Sequence, residues 1–168
     1  STTVLSGESV TVLGDTRCAT KQAGETTHAN NSGGNSIWYR WTAPYTGPAT
    51  VSLLGSSFDT LLAVYRGATL ASLGTTIVDH NDDFDTGILQ SQVSFNATAG
   101  TTYRIAADGY NGGEGADSGL AVLSINPARN DAFANAQTLS GTNGSTLGYN
   151  RTATRESGEP THAGNPGG

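Results

Sequence analysis

Apolar and polar residues alternate along most of this chain in short runs, broken at close intervals by Gly, Asn, Asp and Ser. A period of two is the signature of a strand with one face buried. The clearest case is residues 36–44, where Ile37, Tyr39 and Trp41 fall on one face and Trp38, Arg40 and Thr42 on the other. Aromatic and β-branched side chains suit that half-buried, pleated setting. Pro44 lacks an N–H and ends the run, and Tyr45-Thr46-Gly47-Pro48 makes the corner. The same pattern predicts strands over residues 9–13, 17–20, 49–54, 76–78, 102–108 and 120–125, and over 88–97 with a bulge near Ser91. The unbroken apolar run 61–65 reads as a strand buried on both faces. Between these lie polar loops at 22–35, 66–75, 79–87 and 110–119. Strands this short at this spacing predict an all-β fold, a two-sheet antiparallel sandwich of jelly-roll type.

Residues 5–34 and 139–168 align without a gap at an offset of 134, and 16 of the 30 positions are identical. Such a match marks an internal repeat with a period close to the size of one domain. The chain divides accordingly into a full repeat over 1–125, a junction over 126–135 and the opening of a second repeat over 136–168. That opening lacks the partners that residues 36–125 give the first copy, and alone it buries too little surface to offset the entropy of ordering. It is therefore expected to pack on a neighbouring repeat or subunit, with Phe133, Leu139, Leu147 and His162 as candidate self-association residues.

Charge and composition narrow the partners. A net charge of −6 argues against nucleic acid and anionic membranes, and no apolar run is long enough to span a bilayer. Cys18 is the only cysteine, so no intrachain disulfide can form. Abundant hydroxyl residues with a single Lys match secreted bacterial β-proteins, which predicts an extracellular or cell-surface location. The sequence opens on Ser-Thr-Thr without Met, as expected of a processed or excised segment.

Several motifs resemble bacterial pre-peptidase C-terminal domains: Gly24-Glu25-x-x-His28-Ala29, Gly33-Gly34-x-Ser36-x-Trp38-Tyr39-x-Trp41-Thr42-Ala43-Pro44 and Ser57-Phe58-Asp59-Thr60-Leu61-Leu62-Ala63-Val64-Tyr65. Asn81-Asp82-Asp83, the stretch from Val93 to Tyr103 and Asp108-Gly109-Tyr110-Asn111-Gly112 extend the likeness over nearly all of residues 1–125. The resemblance implies a β-sandwich found on secreted proteases and in tandem-repeat surface proteins. It also implies that calcium and a substrate polymer are permitted ligands. Many members carry a cysteine pair near the acidic loop, which this sequence lacks.

Candidate chemistry concentrates in Asp79-His80-Asn81-Asp82-Asp83-Phe84-Asp85. Asp79, Asn81, Asp83 and Asp85 alternate, and calcium takes about six to eight hard oxygen ligands. These four are candidate calcium ligands, with Asp59 and Asp108 as distant contributors; the competing reading is a solvated acidic turn. An EF-hand is excluded, because Phe84 stands where Gly is required and Gln90 where the bidentate acid belongs. Glu25 and His28, repeated as Glu159 and His162, lack a third nearby ligand and read as a hydrogen-bonded loop fastening. Trp38, Trp41, Tyr45 and Tyr65 read as core, leaving Tyr110, in a Gly/Asn loop, as the candidate exposed ligand contact. No catalytic motif emerges. The expected function is a non-catalytic module of a secreted tandem-repeat protein that associates head to tail with copies of itself. The alternative is an accessory module binding polysaccharide or fibrous protein.

Overall fold

The computed structural model describes residues 2–127 and 157–161. Nine strands lie among the described residues: β1 (Thr3–Leu5), β2 (Val10–Asp15), β3 (Ile37–Thr42), β4 (Gly47–Ser52), β5 (Thr60–Tyr65), β6 (Ile77–Asn81), β7 (Gln92–Ala97), β8 (Thr102–Gly109) and β9 (Leu120–Pro127). A 3-10 helix, Leu70–Thr75, links β5 to β6. One sheet has the order β1-β3-β8-β5-β6 and the other β2-β9-β4-β7. Every pairing is antiparallel except β1 with β3.

The pairs β5–β6, β4–β7, β3–β8 and β2–β9 nest inside one another, so the chain from β2 to β9 is one long hairpin. Rolling that hairpin brings β8 against β5 and β9 against β4, which closes the two sheets of a jelly roll. The rolling also sorts the connections by end. The loops β2–β3, β4–β5, β6–β7 and β8–β9 meet at one end, called here the loop end. The shorter turns at 6–9, 43–46 and 98–101 and the 3-10 helix lie at the other, the turn end.

Alternation puts Tyr39 and Trp41 of β3 into the space between the sheets, with Leu62 and Val64 of β5, Tyr103 and Ile105 of β8, Val51 of β4 and Leu123 and Ile125 of β9. A second, smaller cluster forms on the outer face of the five-stranded sheet, where Ala63, Tyr65, Ala106 and Leu73 pack with Trp38 and Leu70. This is why β5 is buried at all six positions, as its unbroken apolar run predicts.

The sequence reading and the structure part at several places. Residues 17–20 form no strand: Arg17 folds back on Asp15 through a 2.6 Å ion pair, and the Ala19 N–H bonds to the Thr16 carbonyl. Residues 88–91 belong to the loop before β7, because Ser91 turns inward to bond Thr60 instead of continuing a ladder. The bulge lies in β5 against β6, between Val64 and Tyr65. β9 runs on through Pro127, two residues into the stretch assigned to the junction. Phe133, Leu139, Leu147 and His162 lie outside the described residues. Among the described residues no helix is long and apolar enough to cross a membrane.

Candidate functional site

Hydrogen bonds draw the four loops of the loop end together. Thr16 bonds Gly119, Asn31 bonds Asn111, Ser57 bonds Leu120, and the Thr60 N–H bonds the Leu89 carbonyl. The Tyr110 N–H donates to the Asp59 carbonyl at 3.1 Å, tying the β8–β9 loop to the residue that precedes β5. Beside this contact the chain leaves β6 and turns sharply. Asn81 sets the turn, donating from its amide to the Asp83 carbonyl at 2.9 Å while its Oδ1 accepts the Gln92 N–H at 3.0 Å.

That turn brings Asp82 and Asp83 to Asp59, with one carboxylate oxygen from each lying within 4.8 Å of the others. Oδ1 of Asp59 and Oδ1 of Asp82 are buried without a hydrogen-bond partner. Burial, then the charges of Asp83, Asp82 and Asp117, push the Asp59 carboxyl up to about 6. Burial and Asp83 also raise Asp82. Three carboxylates held this close could hold a cation. The donors are all hard oxygens, a set that fits calcium or another hard divalent ion and does not suit zinc.

Of the ligands expected from sequence, the structure therefore gathers Asp59 and Asp83 and adds Asp82, which strict alternation passes over. Alternation holds only while the chain is extended, and β6 ends at Asn81. Asp79 lies within β6, where its Oδ1 accepts the His80 N–H, and Asp85 accepts the Thr86 N–H in its own turn. Asn81 spends both ends of its side chain on the loop. Asp108 is fully buried, and its Oδ1 accepts the N–H groups of Gly34, Asn35 and Gly109. It fastens the β2–β3 loop to the end of β8.

Apolar side chains rim the acidic cluster. Tyr110, Phe84 and Ile88 are each exposed by more than a third, and Leu89 by almost half. Tyr110 thus stands where an external ligand can reach it, beside Asp59. Trp41, Tyr45 and Tyr65 are buried and Trp38 packs on the second core cluster, so they offer no stacking platform.

The Glu25–His28 pair is part of a buried chain of hydrogen bonds. His28 Nε2 meets Glu25 Oε1 at 2.9 Å and Nδ1 meets the Tyr65 hydroxyl at 2.8 Å. The rings of Trp38 and Tyr65 enclose the imidazole at centroid distances of 5.4 and 5.9 Å. Burial pushes the Glu25 carboxyl up, but the hydrogen bonds it accepts, led by that of His28, outweigh this and hold it at about 2. Burial, with Glu25 and Asp108 nearby, drives the Tyr65 hydroxyl far above its usual range. A tight turn with positive φ at Ala29 and Asn30 presents His28 to this pocket, closed by paired backbone bonds between His28 and Asn31. The role is fastening, as the sequence implies.

The fold defines a jelly-roll β-sandwich with its loops gathered over an acidic cluster. Among solved structures, the chain is similar to the pre-peptidase C-terminal domain of a collagenase from Bacillus anthracis, at 13% identity and a TM-score of 0.48 over 74% of this chain and 94% of that one. It is also similar to PliG of Aeromonas hydrophila, a periplasmic inhibitor of g-type lysozyme, at 15% identity and a TM-score of 0.46, over 74% of this chain and 91% of that one. PliG of Salmonella Typhimurium gives 10% identity and a TM-score of 0.38, over 74% and 96%. No family model and no curated protein sequence matches the chain. The likeness is one of fold alone.

Proposed function

We propose that this chain is a non-catalytic module of a secreted tandem-repeat protein, and that its copies associate head to tail outside the cell. The observation that carries this is which positions the repeat keeps. Identical in both copies are Leu5, which is buried against β3, and Gly7, whose carbonyl accepts the Trp41 indole N–H at 3.0 Å. Gly14 is also identical, and a Cβ there would sit 2.3 Å from the Tyr39 hydroxyl. So are Glu25, His28, Asn31, Gly33 and Gly34, which fasten the long loop to β5 and β8. Asn30, at a φ of 63°, is matched by Gly164, again a residue suited to that conformation. The repeat thus retains what a sandwich demands of its first quarter, so the second copy is the opening of a second sandwich.

Light scattering and negative-stain microscopy, first in calcium and then in chelator, test the association. Assemblies in either condition support it, and those that dissolve in chelator assign the Asp59–Asp82–Asp83 cluster to the contact through calcium. Monomers in both conditions at every concentration would remove it.

The exposed rim of Tyr110 and Phe84 beside that cluster favours a second reading, in which the loop end binds a polysaccharide or fibrous protein. Retention on insoluble glycan or collagen that is lost in Tyr110→Ala supports this reading. Absence of retention on both would sink it.

A further inference from the structure

Charge is distributed unevenly along the sandwich. At the loop end stand Asp59, Asp82, Asp83, Asp85, Glu114 and Asp117, none of them ion-paired among the described residues. The two bases there are already engaged, Arg17 by Asp15 and Lys21 by Asp108. Toward the turn end, Arg40 of β3 and Arg104 of β8 are directly opposite each other, and Arg66 follows immediately on β5, whose Tyr65 also pairs with Arg104. None of these arginines forms an ion pair among the described residues, although Arg104 Nη1 donates to the Gly67 carbonyl at 2.9 Å and the acid Glu8 lies in the turn at 6–9. Like charges directly opposite on neighbouring strands are unfavourable by themselves and are relieved by an anion from outside.

Chain direction decides where that anion comes from. β1 runs parallel to β3 and so starts at the loop end, whereas β9 finishes at the turn end, where Pro127 lies opposite Ala49. The position matching Thr3 in the second copy is residue 137, ten residues beyond β9. Ten residues reach at most about 36 Å. A following copy can therefore present its loop end to the turn end of the copy before it.

We propose that successive copies dock with the acidic loop end of one against the Arg40–Arg66–Arg104 cluster of the other. This rests on the tandem, head-to-tail reading and names the surfaces that carry it. The two surfaces differ, so the contact is heterologous and propagates unless the rotation closes a ring. The apolar side chains Val4, beside Arg40 on β1, and Ile88, at the acidic end, are exposed.

The test is sedimentation velocity of the full chain in chelator, which removes competing divalent ions. Because the contact is built from exposed charges, it should weaken at about 1 M salt, where the Debye length is about 3 Å. Arg40→Glu with Arg66→Glu should weaken self-association by at least about tenfold, and so should Asp83→Lys with Asp85→Lys. An equimolar mixture of the two variants should recover it, because each supplies the charge the other lost. All four positions are exposed, and circular dichroism checks that the variants fold; Arg40→Gln with Arg66→Gln is the milder substitute. Association that survives both charge reversals, or a mixture that does not recover, would overturn this docking while leaving head-to-tail assembly by another contact. A wild-type chain that is monomeric at every concentration in chelator would overturn this docking, and one that is monomeric in calcium as well would remove both.

Discussion

His28 holds a loop of more than a dozen residues against the sheet by using both ring nitrogens at once. Truncating it leaves the Glu25 carboxylate and the Tyr65 hydroxyl buried without their partner. Removing one member of such a network costs more than the bond itself, because the remaining groups keep their desolvation. His28→Ala should therefore lower stability by about 2–4 kcal/mol in urea unfolding, with Glu25 the main sufferer. Asp59 makes the opposite contribution. Its carboxyl titrates at about 6 in the folded chain against 3.8 for a free side chain, so ionising it disfavours the fold. In chelator this costs nothing below pH 3.8, grows as pH rises through that window and is complete above about 6. Glu25 runs the other way: with its folded value near 2, its stabilisation is complete above 4.5 and lost as pH falls toward 2. Melting temperatures in chelator should fall between about pH 4 and 6 in the wild type and lose that component in Asp59→Asn. Calcium should raise the wild-type value at pH 7 and leave Asp59→Asn nearly unmoved. The sequence points to Asp59 and Asp83, which the structure brings together, and to Glu25 and His28, which it joins by a hydrogen bond. It misses Asp82, because which of two adjacent carboxylates faces Asp59 is decided by a turn that only the Asn81 side chain sets.

At the level of elements, Asp108 joins β8 to the β2–β3 loop, and the join needs a glycine. Gly33 has a φ of +56°, and a Cβ there would lie 1.9 Å from Asp108 Oδ2. Gly24 has a φ of +85° with open space around it. Gly33→Ala should cost about 2–3 kcal/mol, and Gly24→Ala nearer 1, in the same unfolding measurement. Equal losses would mean that backbone conformation alone matters and that Asp108 gives way freely. Most strands are legible from alternation because one face of each meets the core. The reading fails where side chains find partners that are not in a ladder. Arg17 finds Asp15, and Ser91 finds Thr60. β1 is three residues long, too short for a period to register, and only its parallel seat beside β3 makes it a strand. The 3-10 helix is equally hidden, since its one buried side chain, Leu73, closes a cluster built by distant residues.

For the whole molecule, the placement of the ends matters more than any single contact. Entry at the loop end and exit at the turn end mean that two complete copies in one chain should be elongated rather than side by side. Small-angle scattering from a chain extended to two full repeats should give a maximum dimension near twice that of one sandwich. A dimension close to that of one sandwich would rule out the end-to-end arrangement. The jelly-roll class is legible in the sequence from strand number and spacing. The unequal distribution of charge between the two ends is not, because it depends on which loops the rolled hairpin brings together.

The nested pairing also sets an order in time. β5 and β6 are neighbours in sequence and can close first, and each further pair encloses the last, so β2 reaches β9 only at the end. Val10 and Ile125 are about 115 residues apart, a separation that makes their meeting slow. In a tandem chain the segment matching β2 in the next copy, 144–149, follows β9 by fewer than twenty residues. A newly made β9 therefore has a rival partner close at hand before its own arrives. The differences between the copies within this strand, Val10 to Gly144 and Val12 to Thr146, replace apolar residues that pack on the core with weaker ones. On the tandem reading, they would favour pairing of β9 with its own β2 over residues 144–149.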